Sequence, residues 1–272
     1  MSIHNFAVTV AKKAGKLILE KSQKPLKIER KAPKDLVTNV DKAAEKLIIK
    51  EILGKYPNHG IIAEESMDKA MTPAELAKKK YIWIIDPIDG TTNFTHNLPL
   101  YAVSIGVFKL DDAEKSKNFE YLSGELVAGV VFAPALKELF SAEKGKGAFL
   151  NGTKIKVSKV KKASDCLSVT GFPPKHREMN LPFFHAMLKK SQAIRRLGAA
   201  SLDLCYIACG RFDSYWEFGL KPWDIAAGAL IIEEAGGTIT DSFGNPLDLF
   251  GKDILATNGH LHKEIVNTFK KL

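Results

Sequence analysis

The amino-acid sequence predicts a mixed α/β (α+β) protein with helices covering its sheets, and three patterns carry that prediction. Two amphipathic helices open the chain, a series of short apolar segments separated by turn signals follows, and beyond residue 158 strands alternate with helices. In the first helix Phe6, Val10, Ala14, Leu17 and Ile18 recur at a helical period. The second is expected over residues 40–53, with Ala44, Leu47, Ile48 and Ile52 as its apolar stripe and Gly54 and Pro57 as its stop. Between them, residues 27–34 are polar and lysine-rich and read as a mobile loop.

Apolar runs at residues 60–63, 81–85, 102–108 and 126–132 have the length of strands. Residues 139–142 and 148–150 form a hairpin about the turn at 144–147, and Asn151-Gly152 marks a tight turn before a strand at 154–157. This middle section reads as an antiparallel sheet. Further on come a strand at 167–170, helices at 181–190 and 200–209 with Gly210 ending the second, and a strand at 213–218. A helix at 224–235 closes at Gly236-Gly237, strands follow at 238–240 and 254–257, and a terminal helix spans 260–272. No repeat or low-complexity linker interrupts the chain. The expected organisation is one compact unit, with an N-terminal subdomain at 1–157 and a C-terminal one at 158–272.

With 272 residues the chain can bury a sizeable core, and 45% hydrophobic with 26% charged residues excludes a disordered protein. Its apolar runs are too short to cross a bilayer, and no basic-then-apolar leader opens it, so a cytoplasmic location is expected. The three cysteines, an odd number without metal-type spacing, are expected as buried thiols rather than a disulfide framework or zinc site. The net charge of +9 comes mostly from lysines spread along the chain, the pattern of a solvated surface rather than a nucleic-acid face.

The chemistry concentrates in Trp83-Ile-Ile-Asp86-Pro-Ile88-Asp89-Gly90-Thr91-Thr92-Asn93-Phe94. An apolar strand runs into two carboxylates three residues apart, with no basic residue beside them. Hard divalent cations are the usual counter-charge for such oxygens. Gly90-Thr91-Thr92 then begins a short helix, whose free N–H groups suit a phosphate. A lone Asp-x-x-Asp is more commonly a helix cap. Two further acidic segments shift that balance: Glu64-Glu65-Ser66 follows a second strand end, and Asp224 opens a helix within Trp223-Asp-Ile-Ala-Ala-Gly228.

On these segments the sequence resembles the inositol monophosphatase family. Asp35-Leu-Val-Thr38-x-x-Asp41, Gly198-Ala199-Ala200 and Tyr215-Trp216-Glu217 match as well, so the similarity spans almost the whole chain. The resemblance implies a layered α-β-α-β-α sandwich, a homodimer and inhibition by lithium. It also implies Mg2+, two to three ions per subunit. Glu64, Asp86 and the Ile88 carbonyl would hold one ion, Asp86, Asp89 and Asp224 a second, and Glu64 with waters a weaker third. Gly90, Thr91 and Thr92 would present N–H groups to the phosphate. Thr91 and Asp41 would orient the attacking water, with Glu65 assisting through a water. Asp89, Asp224, Gly198, Ala199, Ala200 and Glu217 would contact the substrate, a small phosphorylated polyol or sugar.

A phosphomonoester dianion repels an attacking anion, so such a site must neutralise it and supply hydroxide near neutral pH, which divalent cations do. Direct attack by water, with no phosphoenzyme, is therefore expected. Two departures from the family pattern stand out: Ala63 replaces a frequent glycine, and Ala199 a frequent Ser or Thr hydroxyl. The resemblance favours myo-inositol monophosphate as substrate, with fructose-1,6-bisphosphate, histidinol phosphate and 3′-phosphoadenosine compounds as alternatives served by related enzymes. Some bacterial members join transcription antitermination complexes, which is the non-enzymatic alternative. Arg195 and Arg196 remain without a role at this level.

Overall fold

The computed structural model describes residues 1–32, 35–66, 71–111, 123–172 and 177–272. Helix α1 (Ile3–Ser22) begins at Ser2, whose hydroxyl accepts the Asn5 N–H, and buries Phe6, Val10, Ala14 and Ile18. A two-stranded hairpin, β1 (Ile28–Ala32) with β2 (Asp35–Thr38), follows and leads directly into α2 (Asn39–Lys55). Of the loop expected at 27–34, residues 28–32 are thus a strand and Lys27 is not; residues 33–34 lie outside the described residues. Gly54 does not stop α2 but sits in its last turn, where a solvent-facing glycine meets no neighbour.

Next come β3 (Gly60–Ala63), the short α3 (Pro73–Leu76), β4 (Tyr81–Asp89), α4 (Thr91–Thr95), β5 (Ala102–Leu110) and β6 (Gly124–Ala133). Then follow β7 (Glu138–Glu143), β8 (Gly147–Leu150) and β9 (Thr153–Lys154). These strands form one seven-stranded sheet in sequential order, β3 parallel to β4 and every other pair antiparallel. The strand expected at 154–157 shrinks to the two residues of β9: the Ile155 N–H still reaches the Ala148 carbonyl of β8, but the Val157 N–H donates instead to the Ala235 carbonyl at the end of the helix 222–234.

The remaining elements are β10 (Leu167–Thr170), α5 (Leu181–Leu188), β11 (Ala193–Arg195), α6 (Ala200–Ala208) and β12 (Ser214–Phe218). They continue with α7 (Pro222–Glu234), β13 (Thr238–Thr240), β14 (Asp253–Thr257) and α8 (His262–Phe269). The second sheet has the order β11-β10-β12-β14-β13, with β10 parallel to both neighbours. β11 escaped the sequence analysis because three residues, two half-buried and one exposed, carry no usable periodicity.

Five layers result: α1 and α2, the large sheet, α6 and α7, the small sheet, then α5 and α8. Phe6, Val10, Ile48, Trp83, Val103 and Val130 fill the first interface. Leu204, Ile207, Leu230, Val131 and Tyr215 are among those filling the centre, and Met187, Trp216, Leu255, Ile265 and Phe269 close the last. The α-β-α-β-α sandwich is therefore observed. Cys166 and Cys205 are buried as expected, Cys209 only half so, and none is bonded. Among the described residues no helix is long and apolar enough to cross a membrane.

Candidate active site

β4 runs on through Asp86-Pro87-Ile88 to Asp89 instead of ending at a turn. Pro87 offers no N–H to the ladder, and the register against β5 slips between Asp86↔Ser104 and Asp89↔Ala102. The bulge places an extra residue on β4 and re-aims the side chains around it. Asp86 Oδ1 accepts the Ile88 N–H at 2.9 Å. Gly90 then takes a left-handed conformation (φ 90°), with the position of a would-be Cβ only 2.8 Å from the Leu100 carbonyl, so no other residue fits there without strain. Neither Asp86 nor Asp89 caps α4; its N-cap is Gly90, and no side chain caps its first-turn N–H groups.

α2 supplies the next group. Thr38 accepts the N–H groups of Val40 and Asp41, while Asp41 Oδ2 accepts from the Thr38 backbone N–H at 2.9 Å and from its hydroxyl. This capping box leaves Asp41 Oδ1 free to accept from the Thr91 hydroxyl at 3.0 Å, which also reaches the Ile88 carbonyl at 3.1 Å. Burial pushes the Asp41 carboxyl up, and its bonds to Thr38 and Thr91 partly offset that.

Glu64, Asp86, Asp89 and Asp224 gather from the residue after β3, from β4 and from α7. Asp86 is held well above the usual carboxylate range by burial and by Glu64, Asp89 and Asp224 around it. Asp224 is raised by burial and by Asp89, and Asp89 by burial to about 6. Each is turned onto a protein donor. Asp89 accepts from the N–H groups of Ala200 (3.2 Å) and Ser201 (2.7 Å) and the Ser201 hydroxyl (2.5 Å) at the start of α6. Asp224 Oδ2 accepts the Lys221 N–H at 2.7 Å, and Glu64 Oε1 the Lys31 ammonium at 2.8 Å. In this arrangement no three His, Cys, Asp or Glu side chains among the described residues form a closed ligand shell.

The donor set nonetheless fits a hard divalent cation: oxygens only, mutually repelling, with no Lys or Arg paired to Asp86, Asp89 or Asp224 among the described residues. Glu65 lies beside them, its carboxyl raised to about 7 by burial and by Glu64. Its backbone N–H is fixed at 2.7 Å by Glu45 from α2.

Glu64, Asp89, Asp224 and the Gly90–Thr92 turn line a cleft of about 180 Å3 together with Gly198, Ala199, Ala200 and Glu217. Asp41, Asp86 and Ile88 sit buried behind it. Glu217 is on the central strand of the small sheet and 9% exposed, so it is no surface acid. Burial lifts its carboxyl to about 7, and the Tyr215 hydroxyl donates to Oε2 at 2.7 Å. Gly171 makes room for it, since a Cβ there would fall 1.8 Å from that same oxygen. A larger cavity of about 340 Å3 lies between β4, β5 and residues 246–250. Its walls are mostly apolar, with Asp248 as the one ionisable residue among the described lining, so it lacks a reactive set.

Sequence reasoning missed Lys31, Gly171, Arg196, Ser201 and Asp203, all in or around this cleft. Asp203 left a signal, a lone charge inside the apolar run Leu202–Cys205 of α6. It is 1% exposed, and its Oδ1 has no hydrogen-bond partner among the described residues. Burial, then Glu217 and Asp89, hold its carboxyl well above the usual value. The folded state therefore keeps a proton that the unfolded chain releases near pH 4, and this group's contribution declines as pH rises from there through the raised value. Asp203→Asn is expected to raise the melting temperature by a few degrees at pH 8, with the gain vanishing toward pH 4. Thermal melts across that range check it.

The model of the Inositol monophosphatase family matches residues 1–272. The Nus factor SuhB of Pseudomonas aeruginosa is 39% identical over 98% of this chain and 95% of its own. A Thermotoga maritima protein described as fructose-1,6-bisphosphatase/inositol-1-monophosphatase is 35% identical over 98% and 96%. The crystal structure of extragenic suppressor protein SuhB from Bartonella henselae superposes with a TM-score of 0.87 at 35% identity, covering 100% of this chain and 99% of that one. Matched over its full length and sharing the fold, this protein belongs to the inositol monophosphatase family of phosphatases.

Proposed function

We propose that the protein is a Mg2+-dependent phosphomonoesterase that hydrolyses myo-inositol monophosphate by direct attack of water. The observation that carries this is the gathering of Glu64, Asp86, Asp89 and Asp224 at one cleft with the free N–H groups of the Gly90–Thr92 turn. Glu64, Asp86 and the Ile88 carbonyl would hold one Mg2+, Asp86, Asp89 and Asp224 a second, and Glu64 a weaker third. The bound ions supply charge neutralisation for the phosphate dianion and a lowered pKa for water.

The chain's own residues do the rest. The N–H groups at Gly90, Thr91 and Thr92 orient the phosphate. The Thr91 hydroxyl, held at 3.0 Å by Asp41, orients the water, and Asp41 takes the proton that Thr91 passes on. Glu217 accepts hydrogen bonds from substrate hydroxyls, and Gly198, Ala199 and Ala200 line the same end. Family resemblance further supports a homodimer, lithium inhibition and a cytoplasmic location.

Phosphate release measured with Mg2+ against inositol phosphate, fructose-1,6-bisphosphate, histidinol phosphate and β-glycerophosphate tests the proposal. Inactivity of folded protein on all four would sink it. Glu217→Gln is expected to reduce kcat/KM for inositol phosphate by roughly ten- to a hundredfold while leaving β-glycerophosphate within a few-fold, because a buried acceptor discriminates by the hydroxyls it pairs. Equal losses on both would remove Glu217 from specificity.

The similarity to Nus factor SuhB favours a second reading, in which the protein also joins a transcription complex. An Asp89→Asn variant separates the two: if inactive protein still restores a cellular phenotype, the binding role accounts for it.

A further inference from the structure

Helix α6 begins without a cap of its own. Its N-cap residue is Ala199, which has no side-chain oxygen to receive the first-turn N–H groups. Asp89 takes that place from the end of β4, 111 positions before Ala200. Its Oδ1 accepts the Ala200 N–H, and its Oδ2 accepts both the N–H and the hydroxyl of Ser201, at 2.7 and 2.5 Å. The short hydroxyl contact has the length of a charge-assisted bond. Ser201 is fully buried, and among the described residues its hydroxyl donates to nothing else.

A carboxylate oxygen has two lone-pair directions to offer. On Oδ2 of Asp89 both are filled by Ser201, whereas on Oδ1 one stays open. Asp89 can therefore give a further partner one oxygen only. Asp224 differs, since among the described residues it accepts a single N–H, on Oδ2. The distinction bears on cation choice. Ca2+ takes a large, flexible oxygen shell and often grips both oxygens of one carboxylate, while Mg2+ is smaller and demands a near-octahedral shell. We infer that Ser201 is a cation-selectivity residue of this site: by filling Oδ2 it leaves Asp89 a one-oxygen ligand, which suits Mg2+ and disfavours Ca2+. This rests on the cation reading given above. Without its hydroxyl, the Ser201 N–H would still occupy one direction of Oδ2, so the hydroxyl is what closes the second. Ser201 acts through Asp89 and is a positioning residue.

Titration calorimetry with MgCl2 alone and with CaCl2 alone tests this on the full chain, using the wild type, Ser201→Ala and Asp89→Asn. Asp89→Asn identifies the ion that depends on Asp89. Ser201→Ala keeps both N–H donors and opens one direction on Oδ2, and a thermal melt in EDTA checks that it folds. Its Ca2+ affinity at that ion's position is expected to rise about tenfold while its Mg2+ affinity stays within about twofold, the scale on which groups behind a metal ligand act. A purely structural loss would weaken both ions together and leave their ratio unchanged. A Ca2+-to-Mg2+ affinity ratio in Ser201→Ala equal to or below that of the wild type would overturn the inference and leave the phosphatase proposal standing. Uptake identical in the wild type and Asp89→Asn would overturn it too. Absence of uptake of either ion by the wild type would overturn the cation reading and the inference together.

Discussion

Replacing Asp86 by Asn is expected to lower Mg2+-dependent phosphate release at least about a thousandfold, since a bound cation contributes several kcal/mol of transition-state stabilisation and each 1.36 kcal/mol is tenfold in rate. Asp86 is the carboxylate shared between the two proposed ion positions and is 2% exposed. Asn keeps the shape and still accepts the Ile88 N–H, so the bulge should survive. Stability should move the other way. The Asp86 carboxyl is raised by burial and by Glu64, Asp89 and Asp224, so above the unfolded value near 3.9 the folded state is progressively penalised as pH rises. In EDTA at pH 8 the variant should therefore melt higher than the wild type, and the two should converge toward pH 4. Initial rates with Mg2+ and paired melts in EDTA are the measurements. Activity within tenfold of wild type would remove Asp86 from the proposed ion site.

Gly129→Val is expected to be strongly destabilising to the large sheet. A Cβ at Gly129 on β6 would lie 2.5 Å from the Ala227 carbonyl of α7, and one at Gly106 on β5 2.8 Å from the Ala226 Cβ. The helix backbone lies directly on the sheet there, and a backbone atom cannot rotate aside as a side chain can. Overpacking of this kind costs about 3 kcal/mol. The same helix carries Asp224 one turn earlier, so protein that still folds should also lose activity as α7 is pushed outward. Gly54→Ala is the control: a methyl group there meets nothing within 4 Å, and the helix-propensity gain is about 1 kcal/mol. Urea unfolding of the three proteins gives the comparison. A Gly129→Val midpoint equal to wild type would mean that α7 does not bear on the sheet at that point.

Much of this protein was legible from its sequence because its main elements are long or strongly patterned. Phe6, Val10, Ala14 and Ile18 lie on the buried face of α1 as their spacing required, and the apolar cores of β4, β5 and β6 stand where the runs put them. The boundaries that shifted belong to locally ambiguous residues. β1 looked like loop because four of its five residues face solvent, and its pairing to β2 is a tertiary fact. Asp86 and Asp89 lay beyond the strand expected at 81–85, whereas the strand continues through a bulge that only the register against β5 reveals.

The sequence by itself determined the inventory of the proposed site: Asp41, Glu64, Asp86, Asp89, Thr91, Asp224 and Glu217, each announced by residue type at the end of a patterned segment or by its motif. Those signals are local, and local sequence carries them. Tertiary structure decided what stands against each one. Lys31 meets Glu64 and Glu65 from more than thirty positions away, Ser201 meets Asp89 across 112 positions, and Gly171 yields the space that Glu217 fills. Contacts of that range, and the burial that raises the Asp86, Glu217 and Asp203 carboxyls, depend on how five layers stack and not on any one segment.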